Sequence, residues 1–175
     1  SLVAFTIDSE PLHTHNGTLV GSMSADSFVE NPGKQINSSM ETTLTLYFAS
    51  KDGTELIGET RNVHYNTNIS MEKLVMEQLI EGPKRSNSLS TVPSNTNLIT
   101  VSVVDGVCYV NVSDTIAVQN AEVNEEIVLY SIVNSLTEIP GVTKVQIAIN
   151  GSTEGKLRYT FDLSKMYERD LKYLK

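Results

Sequence analysis

Apolar and polar residues alternate along several short runs of this chain, and the period of each run predicts an element. Leu44, Leu46 and Phe48 alternate with Thr45, Tyr47 and Ala49, the two-residue period of a strand over about 42–49. Asp52-Gly53 supplies a turn. A second extended run, about 55–65, carries Leu56, Ile57, Val63 and Tyr65, with Glu59 and Arg61 between them. Ser70 reads as a helix N-cap, although Lys73 stands where a capping box wants Glu or Gln. Met71, Leu74, Val75 and Leu79 follow at helical spacing, and Gly82-Pro83 ends that helix. Residues 84–97 are rich in Ser, Asn and Thr and read as a loop.

Ile99, Val101 and Val103 alternate next, Asp105-Gly106 turns the chain, and Val107 to Val112 return. Asp-Gly between two β-branched runs is a strong short-range hairpin signal. A loop starts near Asp114. From Val123 to Glu138 the pattern is helical and apolar on most sides, so this helix is expected to be buried against a sheet. Pro140-Gly141 stops it. Val145, Ile147 and Ile149 form another strand, and Asn150-Gly151 turns it. Tyr159 and Phe161 suggest a short return strand, and Met166, Tyr167 and Leu171 a terminal helix over 163–171. The order predicts an α+β domain: a mixed β-sheet with two main helices packed on one face, plus a short C-terminal helix.

The two ends of the chain resemble each other. Val3, Phe5, Ile7 and Asp8 can be laid on Val145, Ile147, Ile149 and Asn150. After a polar turn, Val20 falls on Tyr159, Asp26 on Lys165 and Phe28 on Tyr167. A repeat of this kind predicts three parts. Residues 1–30 are the C-terminal tail of a preceding copy, 31–41 (with Pro32-Gly33) the linker, and 42–175 the domain. The simpler alternative is an N-terminal strand of one domain. Either way residues 1–30 are expected to be ordered, since Val3, Phe5 and Ile7 would otherwise present an apolar edge.

Length and charge then narrow the partners. With 175 residues and 39% hydrophobic content the chain suits one compact domain, with room for a fragment of a second. Its 13 basic and 21 acidic residues give a net charge of −8, which argues against DNA, RNA or anionic lipid heads as partners. The single cysteine, Cys108, excludes an intramolecular disulfide and a Cys-rich metal site. No apolar run approaches the ~18 residues of a membrane span, and no signal peptide is evident. The chain opens on Ser1-Leu2-Val3 and runs straight into an apolar alternation, as a piece of a longer protein does.

Candidate chemistry is sparse. The glycines sit singly at turns, never as a phosphate-binding loop, and no HExxH occurs. His13 and His15 lack a third metal ligand nearby and read as turn histidines. Cys108, mid-strand, could be a nucleophile only if the fold brought His64 to it as base; a buried thiol is the expected state. Glu59 and Arg61 point to one face of a strand, either as an ion pair that organises the surface or as the solvated side of an edge strand, which is the expectation here. Glu122, Glu125 and Glu126 lie at the first turn of the second helix, where the helix dipole favours negative charge, and Glu138 lies at its far end. The loop 84–97, with Lys84 and Arg85, is a permissive connection or a contact surface for a partner or polysaccharide. No catalytic, cofactor-binding or metal residue is assigned, and no cofactor is expected.

Taken in order, the motifs form a set. Leu46-Tyr47-Phe48, Glu59-x-Arg61-x-Val63 and Leu79-Ile80-Glu81-Gly82-Pro83 are followed by Val92-Pro93 and by Asp105-Gly106-Val107-x-Tyr109-Val110-Asn111-Val112-Ser113. Then come Tyr130-Ser131-Ile132-Val133-Asn134-Ser135-Leu136-Thr137-Glu138, Pro140-Gly141-Val142, Val145-Gln146-Ile147 and Asn150-Gly151. Over about 42–170 this resembles the GerMN domain, the sporulation and spore-germination domain of Gram-positive bacteria. Ser135 stands where that family usually has threonine.

The resemblance implies a fold similar to the ring-building modules of secretion-type complexes, often in tandem. It implies a non-enzymatic assembly or scaffold module of a lipoprotein on the outer face of the cytoplasmic membrane, its signal peptide and lipid anchor lying outside this sequence. The implied partners are envelope proteins or further copies, which associate by laying the helix face of one module on the sheet face of the next. A second reading is an envelope-polymer module that binds peptidoglycan through loop 84–97 and Tyr65. A third, a hydrolase, would rest on Cys108 and His64. The family carries no catalytic residues to transfer.

Overall fold

The computed structural model describes residues 39–118 and 122–175, together with the backbone pairing of four two-residue strands nearer the N-terminus. The chain divides into two compact units, Ser1–Ser38 and Ser39–Lys175. In the first, β1 (Leu2–Val3) pairs antiparallel with β4 (Met23–Ser24), and β2 (Thr6–Ile7) with β3 (Glu10–Pro11). Phe5, His13, His15, Val20, Asp26, Phe28 and Pro32-Gly33 lie outside the described residues.

The second unit runs β5 (Ser39–Ser50), β6 (Leu56–Asn66), α1 (Met71–Glu81), β7 (Ser88–Leu89), β8 (Leu98–Val104), β9 (Val107–Val112), α2 (Glu125–Leu136), β10 (Lys144–Ile149) and β11 (Tyr167–Glu168). This is the expected α+β class, but its strands divide between two sheets. One is antiparallel, in the order β6-β5-β7; the other is mixed, in the order β11-β10-β9-β8, with β10 parallel to β9. A parallel pair needs a crossover, and α2 provides it. The second side of β5 is met by β7 at Ala49 and Ser50 and by α2 at Tyr47.

The local chemistry explains the joints. Asp105 and Gly106 both have positive φ (51° and 79°), the backbone of a tight two-residue hairpin whose twist matches its strands. Gly53 has φ 70°, and a Cβ there would lie 1.7 Å from the Glu122 carbonyl oxygen, so only glycine fits between the β5–β6 turn and the approach to α2. The apolar sides of α2 are buried from Ile127 to Leu136, and with α1 they cover Leu46, Phe48, Val110 and Ile147 in one core. Among the described residues no helix is long and apolar enough to cross a membrane.

Two expectations near the C-terminus are corrected. No helix forms over 163–171; the segment is turns with the two-residue β11, which pairs with Lys144 and Val145. Side chains of β10 and α2 claim this backbone: Gln146 Nε2 donates to the carbonyls of Leu163 (3.2 Å) and Ser164 (3.3 Å), and Asn134 binds Asp170. Tyr159 and Phe161 form no return strand. One bridge, Lys156 to Asp162, closes a tight loop whose inner amides turn toward Glu125.

Candidate functional site

The polar residues of α2 face inward and fasten three elements. Tyr47, on the side of β5 turned away from β6, donates its N–H to Ser135 Oγ (3.0 Å), and Ser131 Oγ donates to the Tyr47 carbonyl (2.5 Å). Since Ser131 spends its proton there, Thr91 Oγ1 donates to Ser131 Oγ (2.6 Å). One turn on, Ser135 Oγ donates back to the Ser131 carbonyl (2.6 Å). Asn134, fully buried, holds Asp170 by both main-chain groups: Nδ2 donates to the carbonyl (2.8 Å) and Oδ1 accepts the N–H (3.1 Å). Just beyond α2, Glu138 accepts from the Tyr47 hydroxyl (2.6 Å) and pairs with Arg169 (2.5 Å), whose Nη2 also donates to the Tyr47 oxygen (2.8 Å). Burial pushes the Tyr47 phenol above its ordinary pKa, and the Glu138 carboxylate adds to the rise.

Glu59 and Arg61 are not a solvated edge. They are 3% and 8% exposed, and Arg61 binds Glu59 directly. The expectation failed because α1 and the turn after it cover this face of β6. Arg61 Nη1 donates to Gln78 (3.1 Å) and Nη2 to the Gly82 carbonyl (3.0 Å), while its guanidinium lies 5.4 Å from the Phe48 ring centroid. The Glu59 carboxylate also accepts the amides of Lys84 (3.1 Å) and Arg85 (3.3 Å), so the pair and its surroundings satisfy one another. Its place is structural: it clamps the end of α1 to the middle of β6.

Glu125 acts away from its own helix. Its carboxylate accepts the amides of Arg158, Tyr159, Thr160 and Phe161 at 3.1–3.2 Å, a nest of backbone donors. Burial raises its pKa, but the Phe161, Thr160, Arg158 and Tyr159 amides outweigh that and hold the carboxyl below its ordinary value. Glu122 is exposed and Glu126 half-buried at the same turn.

The structure does not join Cys108 to His64. Cys108 is fully buried on β9, where burial, with Glu72 beside it, pushes its thiol up to about 12. His64 is exposed on β6, opposite Glu41 of β5. Tyr65 is half-buried and packs on the core. In loop 84–97, residues Lys84 to Asn87 are exposed, but Ser88–Leu89 add a short strand to β5 and Val92 is buried. Among the described residues no His, Cys, Asp and Glu cluster could hold a metal ion. A half-open groove of about 180 Å³ lies along β5, between Thr42, Thr45, Met71, Val75, Glu138 and Pro140. Sequence reasoning missed Ser131, Ser135 and Arg169 as fasteners. The signal for the serines was present, as two small hydroxyls four residues apart on an otherwise apolar helix.

These features define a small α+β module in which Glu59, Arg61, Ser131, Asn134 and Ser135 hold strands, helices and tail together. The chain belongs to the Germane family, described as sporulation and spore germination, which matches residues 45–155. No curated protein matches it. Among solved structures it is similar to a candidate lipoprotein of Clostridium perfringens (25% identity over 73% of this chain and 87% of that one, TM-score 0.53). It is also similar to the tandem GerMN domains of the sporulation protein GerM from Bacillus subtilis (21% identity, TM-score 0.63), where the match covers 99% of this chain but 63% of the other. The first GerMN domain of that protein matches with 22% identity over 63% of this chain and 84% of its own length, at a TM-score of 0.55.

Proposed function

We propose that this chain is a non-enzymatic assembly module of a sporulation or spore-germination lipoprotein, working outside the cytoplasmic membrane. The observation that carries the reading is the use of the motif 134–138. Asn134, Ser135, Thr137 and Glu138 all bind within the molecule, which supports a motif whose part is to build a shape. Family membership supports the sporulation context, and the similar Clostridium perfringens protein supports lipid anchoring. We also read residues 1–30 as the tail of a preceding copy; the match to a tandem over nearly all of this chain supports that.

Light scattering over a concentration series, alone and with candidate envelope proteins, tests the assembly reading. A mass that grows, with itself or with a partner, is expected; a monomer that meets no envelope protein overturns it. The exposed run Lys84 to Asn87 favours a second reading, binding to peptidoglycan. Sedimentation with purified cell wall, unchanged when that run is replaced by Gly and Ser, removes it.

A further inference from the structure

We infer that the outer edge of β8 pairs with the same edge of a second copy, joining two four-stranded sheets into one. The inference rests on the assembly reading and names the surface that serves it. β8 is the terminal strand of its sheet, and no described strand pairs with its outer side. Its sequence, Leu98-Ile99-Thr100-Val101-Ser102-Val103-Val104, holds no charge, glycine or proline. Protein edges are ordinarily protected from one another by lysine, proline, bulges or shortness. β8 has one such device, an irregularity between Leu98 and Thr100, which leaves 100–104 regular. The opposite edge, β11, is two residues long and carries Glu168, paired with Lys144.

The register of the pairing follows from the hairpin. The two-residue turn makes Val104 and Val107 a hydrogen-bonded pair, and alternation makes Ser102 and Tyr109 the next. Val101 and Val103 therefore turn their N–H and C=O groups outward. An antiparallel copy related by a two-fold axis at Ser102 sets Val101 against Val103 of the second copy, and each N–H finds a carbonyl. Ser102 then faces Ser102 of the second copy, and Thr100 faces its Val104. These are uncharged and mainly β-branched pairs, which stabilise sheets. The strand is thus complementary to itself, and a chain of net charge −8 meets its copy along a stretch without a charge. Ile99, Val103 and Val104 are 44%, 37% and 54% exposed in the single chain, so the pairing also covers apolar surface. One strand edge buries less than the ~1,200 Å² of a standard interface, so the association is weak, with a Kd in the micromolar range or above.

The test uses the 175-residue chain and position 102, which is exposed. Sedimentation equilibrium up to about 1 mM should show a monomer–dimer equilibrium. Ser102→Lys and Ser102→Glu, each placing like charges across the axis, should each weaken dimerisation at least ~10-fold. An equimolar mixture of the two should restore it. Hydrogen exchange of the unmodified chain should show the Val101 and Val103 amides protected only at high concentration, with Ser102 protected throughout. Dimers unaffected by either variant, with the Val101 and Val103 amides still exchanging, overturn the edge pairing and leave the assembly reading standing. A strict monomer that binds envelope proteins has the same consequence, whereas one that binds none overturns both. Protection of these amides only on adding another protein replaces the second copy by a foreign strand.

Discussion

β5 and β8 each present one side to solvent or to a non-strand neighbour, and they differ in what meets that side. On β5, the positions turned away from β6 are served in turn: Ala49 by Leu89 of β7, and Tyr47 by Ser135 and Ser131 of α2. Only toward Thr45 and Thr43 does the strand open, and there it faces a groove bordered by α1 and the Glu138–Pro140 turn. On β8, against which α1 also packs, no described strand pairs with the outer edge. Two hydroxyls at helical spacing can therefore close a sheet edge as a strand would, and a sheet that lacks them keeps its hydrogen-bonding capacity for a partner.

The comparison can be broken at several points. The largest effect is expected where the β5–β6 hairpin is tied to α1. Arg61→Met leaves the Glu59 carboxylate buried without its cation and should cost about 3–5 kcal/mol, read as a lower urea midpoint with an unchanged slope. Next comes the closed edge itself. Ser131→Ala deprives the Tyr47 carbonyl and the Thr91 hydroxyl of their partner and should cost about 1–3 kcal/mol by the same measurement. Glu125 gives a smaller effect with a pH signature. Because its folded pKa is lowered, its contribution is complete above the ordinary carboxyl pKa and disappears as pH falls through the folded value. Glu125→Gln should cost about 1 kcal/mol at pH 7 and nearly nothing at pH 2, shown by urea melts at both values. The smallest effect belongs to the open edge: Ser102→Lys should leave the dilute unfolding midpoint within ~0.5 kcal/mol of the parent. A large loss there would mean that β8 is braced in the single chain and the contrast between the edges is false.

Period and turn chemistry made much of the second unit legible. The strands at Leu44–Phe48 and Val145–Ile149, the hairpin at Asp105-Gly106 and both main helices lie where alternation, helical spacing and glycine turns put them. What periodicity could not reveal is which face another element would cover. Glu59 and Arg61 alternate as a solvated pair does, and only the return of α1 across β6 makes them core. The C-terminal errors share another cause. Met166, Tyr167 and Leu171 carry a weak helical period, but Asn134 and Gln146, 36 and 18 positions from the backbone they bind, supply hydrogen bonds that a local helix would forgo. Tyr159 and Phe161 alternate like a strand, yet Glu125 takes their amides. Long-range side-chain bonds to the backbone outweighed local propensity in both places. The candidate site was less legible, since its fasteners are common residues whose partners lie far along the chain.

The serine closure of β5 also sets an order of events as the chain emerges, N-terminus first. Tyr47 and Ser135 are separated by 88 residues. At ~5–20 residues per second, Ser135 is made on the order of 4–18 s after Tyr47. During that interval the nascent β5–β6 hairpin has an uncovered side, and a chaperone or a neighbouring chain can reach it. For those seconds the edge that is sealed in the finished protein is as available as the one that stays open.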